Sequence, residues 1–177
     1  MDNYIFKKDA ALTKEESNNC IKYFYLNKNT QKDTTRGYFQ FSPPPSLKWT
    51  EFQFLENILI SNIDEYVQQH LFLNQLYARW TIDELFNIQK YNPGDSYGSE
   101  HMEHGKEHFD CKRLLAWMIY LNDVKDKGGT CWPQQNFTSI PRTGDLYIWP
   151  AGWTHSHYGV ASPTEIKYII TGWCSFE

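Results

Sequence analysis

The stretch Arg113-Leu114-Leu115-Ala116-Trp117-Met118-Ile119-Tyr120-Leu121 decides how this chain folds. Its side chains are apolar on both faces, so as a strand it lies in the middle of a sheet, covered above and below. On either side of it the sequence breaks into short β-like runs, roughly at 84–91, 137–140, 145–149, 156–160 and 166–174. Turn signals fall between them at Asn92-Pro93-Gly94-Asp95, Lys127-Gly128-Gly129 and Arg142-Thr143-Gly144-Asp145. Many short strands punctuated this way predict a sandwich or barrel.

The N-terminal half reads differently. A short extended piece around Tyr4-Ile5-Phe6 precedes Thr13-Lys14-Glu15-Glu16, a capping box that starts a helix whose apolar stripe is Cys20, Ile21, Phe24 and Tyr25. Residues 27–49 read as surface loop, because the Pro43-Pro44-Pro45 run fits neither helix nor sheet interior. From Thr50 to about Phe72, Phe52, Leu55, Ile58, Leu59, Ile63, Tyr66 and Val67 recur at helical spacing and predict an amphipathic helix lying on the sheet. Helices lead and strands follow, an α+β order. The expected organisation is one domain over 1–177, with helical support and loop in 1–83 and a β core in 84–177.

Composition excludes several classes. The net charge is −4 and there is no Lys/Arg run, which argues against nucleic-acid binding. No apolar run approaches the ~20 residues of a membrane span, and the N-terminus lacks the apolar core of a signal peptide. Cys20, Cys111, Cys131 and Cys174 form no CxxC pair, so structural zinc is not indicated and reduced, cytoplasmic thiols are.

Five of the six histidines, at 101, 104, 108, 155 and 157, fall in or just after two stretches, Tyr97–His104 and Trp149–His157. Imidazole beside carboxylate suits iron, manganese, nickel or zinc. In a strand His101 and Glu103 would point to one side. With a third histidine downstream they make two His and one carboxylate, which leaves three adjacent positions open on an octahedral iron. His155 is read as that third ligand. His157 is left as an alternative because an extended segment would put it on the same face, and His104 and His108 are read as surface residues. His108-Phe109-Asp110 is a second His-X-carboxylate and stays open as a rival set.

In the terminal run Ile166-Lys167-Tyr168-Ile169-Ile170-Thr171-Gly172-Trp173, Lys167 shares a face with Ile169, Thr171 and Trp173. If that face is interior, a buried ammonium costs several kcal/mol unless paired. No acidic residue in the sequence is its obvious partner, so an anionic ligand is expected there. Tyr120 could give that anion a hydrogen bond, or be a satisfied core tyrosine.

These residues resemble the prolyl 4-hydroxylase branch of the 2-oxoglutarate/Fe(II)-dependent dioxygenases, in the version seen in small members from phages and marine bacteria. The motifs are Tyr91-Asn92-Pro93-Gly94-Asp95, His101-Met102-Glu103, Arg113 with Tyr120-Leu121-Asn122-Asp123, Gly128-Gly129-Thr130, Trp149-Pro150 leading to His155, and Lys167 through Trp173. They cover about half the chain in the family's order. The resemblance implies a distorted double-stranded β-helix, a jelly-roll or cupin-like core buttressed by N-terminal helices. It implies Fe(II) on His101, Glu103 and His155. It implies 2-oxoglutarate held by Lys167, with Tyr120, Tyr91 and Thr171 assisting, and O2 and ascorbate as further requirements. The implied activity is hydroxylation of the procollagen-proline 4-dioxygenase type on a proline-containing peptide or protein, in the cytoplasm (a host's, if phage-encoded). Glu103 stands where the family usually has Asp. Trp132, Trp153, Tyr158 and the 35–46 loop are candidates for a peptide channel. Two other readings stay open: a non-catalytic cupin-like metal- or ligand-binding module, and an oxygenase of a free amino acid or other small molecule.

Overall fold

The computed structural model describes residues 3–27, 32–34, 37–44, 51–105 and 110–177; Pro45, Thr50 and His108 lie outside the described residues. The strands in chain order are β1 (Phe6–Lys8), β2 (Lys32–Thr34), β3 (Tyr38–Phe41), β4 (Trp80–Tyr91), β5 (Arg113–Tyr120), β6 (Thr130–Trp132), β7 (Phe137–Thr138), β8 (Leu146–Pro150), β9 (Tyr158–Gly159) and β10 (Lys167–Phe176). Helix α1 spans Lys14–Leu26 and α2 spans Gln53–Gln69. A seven-stranded sheet runs β1-β8-β5-β10-β4-β3-β2, and a three-stranded sheet runs β7-β6-β9. The small sheet lies across the inner face of the large one, with Trp132 of β6 against Tyr147 and Trp149 of β8 at ring separations of 6.1 and 5.2 Å. The result is a distorted double-stranded β-helix with helices on one outer face.

Strand β5 lies third in the large sheet, between β8 and β10, and divides its side chains between two cores. Leu115, Trp117 and Ile119 join the helix-side core, which Phe24 of α1 and Leu55, Leu59 and Ile63 of α2 complete. Ala116, Met118 and Tyr120 face the interior with Tyr91, Trp132, Tyr147, Trp149 and Ile169. Strand β10 alternates likewise, with Ile170 and Cys174 toward the helices and Ile169 and Trp173 inward. Its Gly172 lies where any side chain would collide with Trp117, since a Cβ there would come within 2.4 Å of the indole.

Thr13 caps α1 as a full capping box: its hydroxyl accepts from the Glu16 amide and the Glu16 carboxylate accepts from the Thr13 amide. Thr13→Ala should cost about 1 kcal/mol and lower the melting temperature by roughly 2–4 °C, as calorimetry would show. Helix α2 begins at Gln53 after an N-cap, Phe52, that makes no side-chain hydrogen bond.

Three strands lie outside the sequence reading. Strands β2 and β3 fall in the segment read as loop, and β6 between two of the expected runs. All are short, and β2 and β3 form the sheet's far margin, where pairing depends on a neighbour rather than on local pattern. The expected strand at 156–160 shrinks to β9, because Trp153–His155 coils into a single 3-10 turn before it.

Candidate metal centre

His101 and His157 are brought together by an isolated antiparallel bridge. The His101 amide donates to the His157 carbonyl at 3.0 Å, and the His157 amide donates back at 2.8 Å. Two residues on, the Glu103 amide donates to the Ala151 carbonyl at 3.0 Å. One ligand atom from each of His101, Glu103 and His157 lies within 4.8 Å of the others. His157 Nε2 is 3.2 Å from Glu103 Oε1, and His101 Nε2 is 3.9 Å from the same oxygen.

Both imidazoles are oriented from behind. His101 Nδ1 donates to the Ser99 carbonyl at 2.9 Å, and His157 Nδ1 to the His155 carbonyl at 3.0 Å. Each contact assigns the proton to Nδ1 and turns Nε2 toward the carboxylate, the tautomer a metal-binding histidine needs. Tyr97 packs on His101 at a ring separation of 4.1 Å, and Trp149 packs on His157 at 5.1 Å. Burial pushes the Glu103 carboxyl up, but hydrogen bonding and charge from His157, the charge of His101 and the Trp173 indole outweigh it and hold it at about 2. Its neighbours therefore favour the ionised carboxylate. Two imidazoles with fixed tautomers and one ionised carboxylate are a donor set that fits a ferrous ion.

The structure does not bring His155 into this cluster. Its Nε2 donates to the Asn3 carbonyl at 2.9 Å, its Nδ1 lies 3.0 Å from the Thr154 hydroxyl, and Tyr4 packs edge-on beside it. The expectation that His155 joins His101 and Glu103 is corrected: the structure places His157 beside them instead. The 3-10 turn breaks the extended geometry that would have put both rings on one face, and the bridge to His101 selects His157. Of the rival pair, Asp110 lines the same cavity but is not one of the clustered three; it forms an ion pair with Arg113 at 2.8 Å, and His108 lies outside the described residues. His104 donates to the Arg113 carbonyl at 2.5 Å.

The cluster opens on a cavity of about 370 Å³. Lys167 lines the same cavity and is only 4% exposed. Its ammonium donates to the Gly128 carbonyl at 3.0 Å and stands 4.6 Å over the Tyr91 ring. Among the described residues no carboxylate pairs with it. Burial lowers its pKa to about 8. Tyr91 and Thr171 also line the cavity. The Tyr91 hydroxyl donates to Gln89 at 2.7 Å, and the Thr171 hydroxyl donates to the Trp117 carbonyl at 2.8 Å. Tyr120 is fully buried behind the wall, with its hydroxyl 2.7 Å from Ser139 and 3.2 Å from Thr130. Thr130 lines the cavity and Tyr120 does not.

A sequence profile described as the 2OG-Fe(II) oxygenase superfamily matches residues 86–175, which hold every member of the cluster and Lys167. The chain belongs to that superfamily. Solved structures share the oxygenase's fold at low identity. The viral collagen prolyl hydroxylase of Paramecium Bursaria Chlorella virus-1, in its 2OG complex, superposes with a TM-score of 0.73 at 17% identity, covering 97% of this chain and 95% of that one. A Pseudomonas putida prolyl-4-hydroxylase gives 0.72 at 14% identity over 98% and 93%. A Trichoplax adhaerens prolyl hydroxylase, in complex with a peptide fragment of the hypoxia inducible factor oxygen degradation domain, gives 0.74 at 15% over 98% and 84%. No curated protein matches the oxygenase in sequence.

Three features of the site escaped the sequence. Trp173 donates its indole N–H to Glu103, Gln89 lies buried against Tyr91, and Trp132 is not a channel residue. Trp132 is wholly buried behind His157. Trp153, another channel candidate, is 71% exposed on the turn before His155. The His-X-His doublet was the only sequence signal for the third ligand, and it does not say which histidine turns inward. No helix among the described residues is long and apolar enough to cross a membrane.

Proposed function

We propose that this oxygenase binds Fe(II) through His101, Glu103 and His157, binds 2-oxoglutarate through Lys167, and hydroxylates a C–H bond of a peptidyl proline. The observation that supports it best is one cavity lined both by a ready-made ligand trio and by an ammonium that has no carboxylate partner among the described residues. A dicarboxylate spans such a pair, with one end at the metal and the other at Lys167.

Iron, with O2 and 2-oxoglutarate, supplies the oxidising power, and hydroxylation is coupled to release of succinate and CO2. The chain supplies binding, orientation and dryness. His101 and His157 turn their Nε2 atoms toward Glu103 because backbone carbonyls hold their Nδ1 protons. Met118, Trp149 and Ile169 line the cavity with apolar surface, which keeps water from the reacting centre and strengthens the attraction between the Lys167 ammonium and a carboxylate. Tyr91 gives that charge an aromatic face, and Thr171 places a hydroxyl on the same wall. Ascorbate would restore iron oxidised in idle cycles. Four cysteines scattered without a CxxC pair suit a reducing compartment such as the cytoplasm.

The peptide substrate is proposed from the structural relatives, one of which is solved with a peptide fragment. The test compares succinate formation from 2-oxoglutarate with no substrate, with free proline and with a proline-containing peptide. A slow basal rate that the peptide alone raises is expected. Stimulation by free proline alone would make this an oxygenase of free amino acids. No succinate under any condition would favour the binding-module reading.

A further inference from the structure

A glutamate at the carboxylate position raises a geometric problem. Its chain is longer than aspartate's by one methylene, about 1.5 Å of reach, and each extra torsion lets either oxygen, or both, turn toward the metal. The structure removes that freedom. Trp173 Nε1 donates to Glu103 Oε2 at 2.7 Å. Oε1 is left as the oxygen facing His157 and His101. The Arg113 guanidinium lies 3.7 Å over the Trp173 ring, donates to the Glu103 carbonyl at 2.9 Å, and sits 3.8 Å from Oε2. Glu103 is thus held at its backbone and at its outer oxygen by two side chains stacked on each other.

The aim of the Trp173 N–H sets it apart from its neighbours. The indole N–H groups of Trp117, Trp132 and Trp149 are buried with no partner among the described residues. Trp173 comes from β10, two residues beyond Thr171 on the inward face, and its ring carries Arg113 on one side. We infer that Trp173 is a positioning residue that locks Glu103 as a one-oxygen ligand and so keeps the positions needed by the cosubstrate open. A carboxylate that turned both oxygens to an octahedral metal would fill two positions instead of one and leave two of the three open.

The inference rests on the metal centre proposed above, and Mn(II) binding to the apoprotein, followed by calorimetry without turnover, separates the two. Trp173→Phe keeps an aromatic ring beneath Arg113 and removes the N–H. Its Mn(II) dissociation constant should rise roughly 10–100-fold, the usual cost of losing an outer-shell partner. Replacing the Trp173 indole by its benzothiophene isostere removes only the N–H and should do the same even if the phenylalanine variant folds poorly. In a Glu103→Asp background the shorter carboxylate no longer reaches the indole. Trp173→Phe should therefore add less than about 2-fold there, a non-additivity that general loosening of the fold would not give. Wild-type Mn(II) affinity in the isostere, with Glu103→Ala abolishing binding, overturns the inference and leaves the metal centre standing. No Mn(II) binding by the wild type overturns the metal centre and the inference together.

Discussion

His157→Ala should reduce 2-oxoglutarate turnover to the iron-free background, whereas His155→Ala should keep most of it. A directly ligating imidazole is worth more than the roughly 10–100-fold that an outer-shell partner costs. His157 Nε2 stands 3.2 Å from Glu103 Oε1, with its other nitrogen bound to a backbone carbonyl. His155 instead ties the Asn3 carbonyl to the turn at Trp153. Loss of that tie removes one buried hydrogen bond, about 1–3 kcal/mol of stability, without touching a ligand. Succinate release by both variants, beside their melting temperatures, checks this. A dead, well-folded His155→Ala with an active His157→Ala would reverse the assignment.

Lys167→Ala should raise the 2-oxoglutarate concentration needed for half-maximal turnover by roughly 30-fold to several thousandfold. The range follows from about 2–5 kcal/mol for removing one partner of a buried charge pair, at 1.4 kcal/mol per factor of ten. The maximal rate at saturating cosubstrate should fall far less. An unchanged requirement would remove Lys167 from the anion site.

The same residue sets an alkaline limit. Burial favours the neutral amine and brings the pKa from 10.5 to about 8. Below about pH 8 the free protein holds the ammonium that a carboxylate needs. Above it the amine predominates, and affinity for 2-oxoglutarate should fall by up to tenfold per pH unit until the fully neutral form is reached. Glu103 sets no acid limit near neutrality, because hydrogen bonding and the nearby histidines hold it at about 2 against the upward pull of burial.

The parts of this molecule legible in the sequence are those fixed by local pattern. Strand β5 announced itself by being apolar on both faces, and it divides its side chains between the helix-side core and the interior. The alternation of β10 placed Lys167 inward, where it is buried without a carboxylate partner among the described residues. The capping box at Thr13 and the stripe of α2 were equally local.

What depended on pairing across the chain was not legible. Between His155 and His157 the choice is made by one 3-10 turn and one bridge to a strand position more than fifty residues away, as in His157 with His101. For Tyr120 the sequence left two readings open, a hydrogen bond to the anion or a satisfied core tyrosine. Its hydroxyl meets Ser139 and Thr130, contacts that the fold alone creates. Strand β3 looked like loop until β4 paired with it. The Trp173 contact to Glu103 spans seventy residues and has no signature in either segment.

The most direct test of the central claim is an anaerobic titration of the apoprotein with Fe(II) and 2-oxoglutarate, watched for the visible charge-transfer band of the chelate. The account predicts a band that saturates with one iron and one 2-oxoglutarate per chain and fails to form with succinate. It should persist in Asp110→Ala and vanish in Glu103→Ala. A folded wild-type protein that gives no band, or a band that survives Glu103→Ala and is lost with Asp110→Ala, would contradict it.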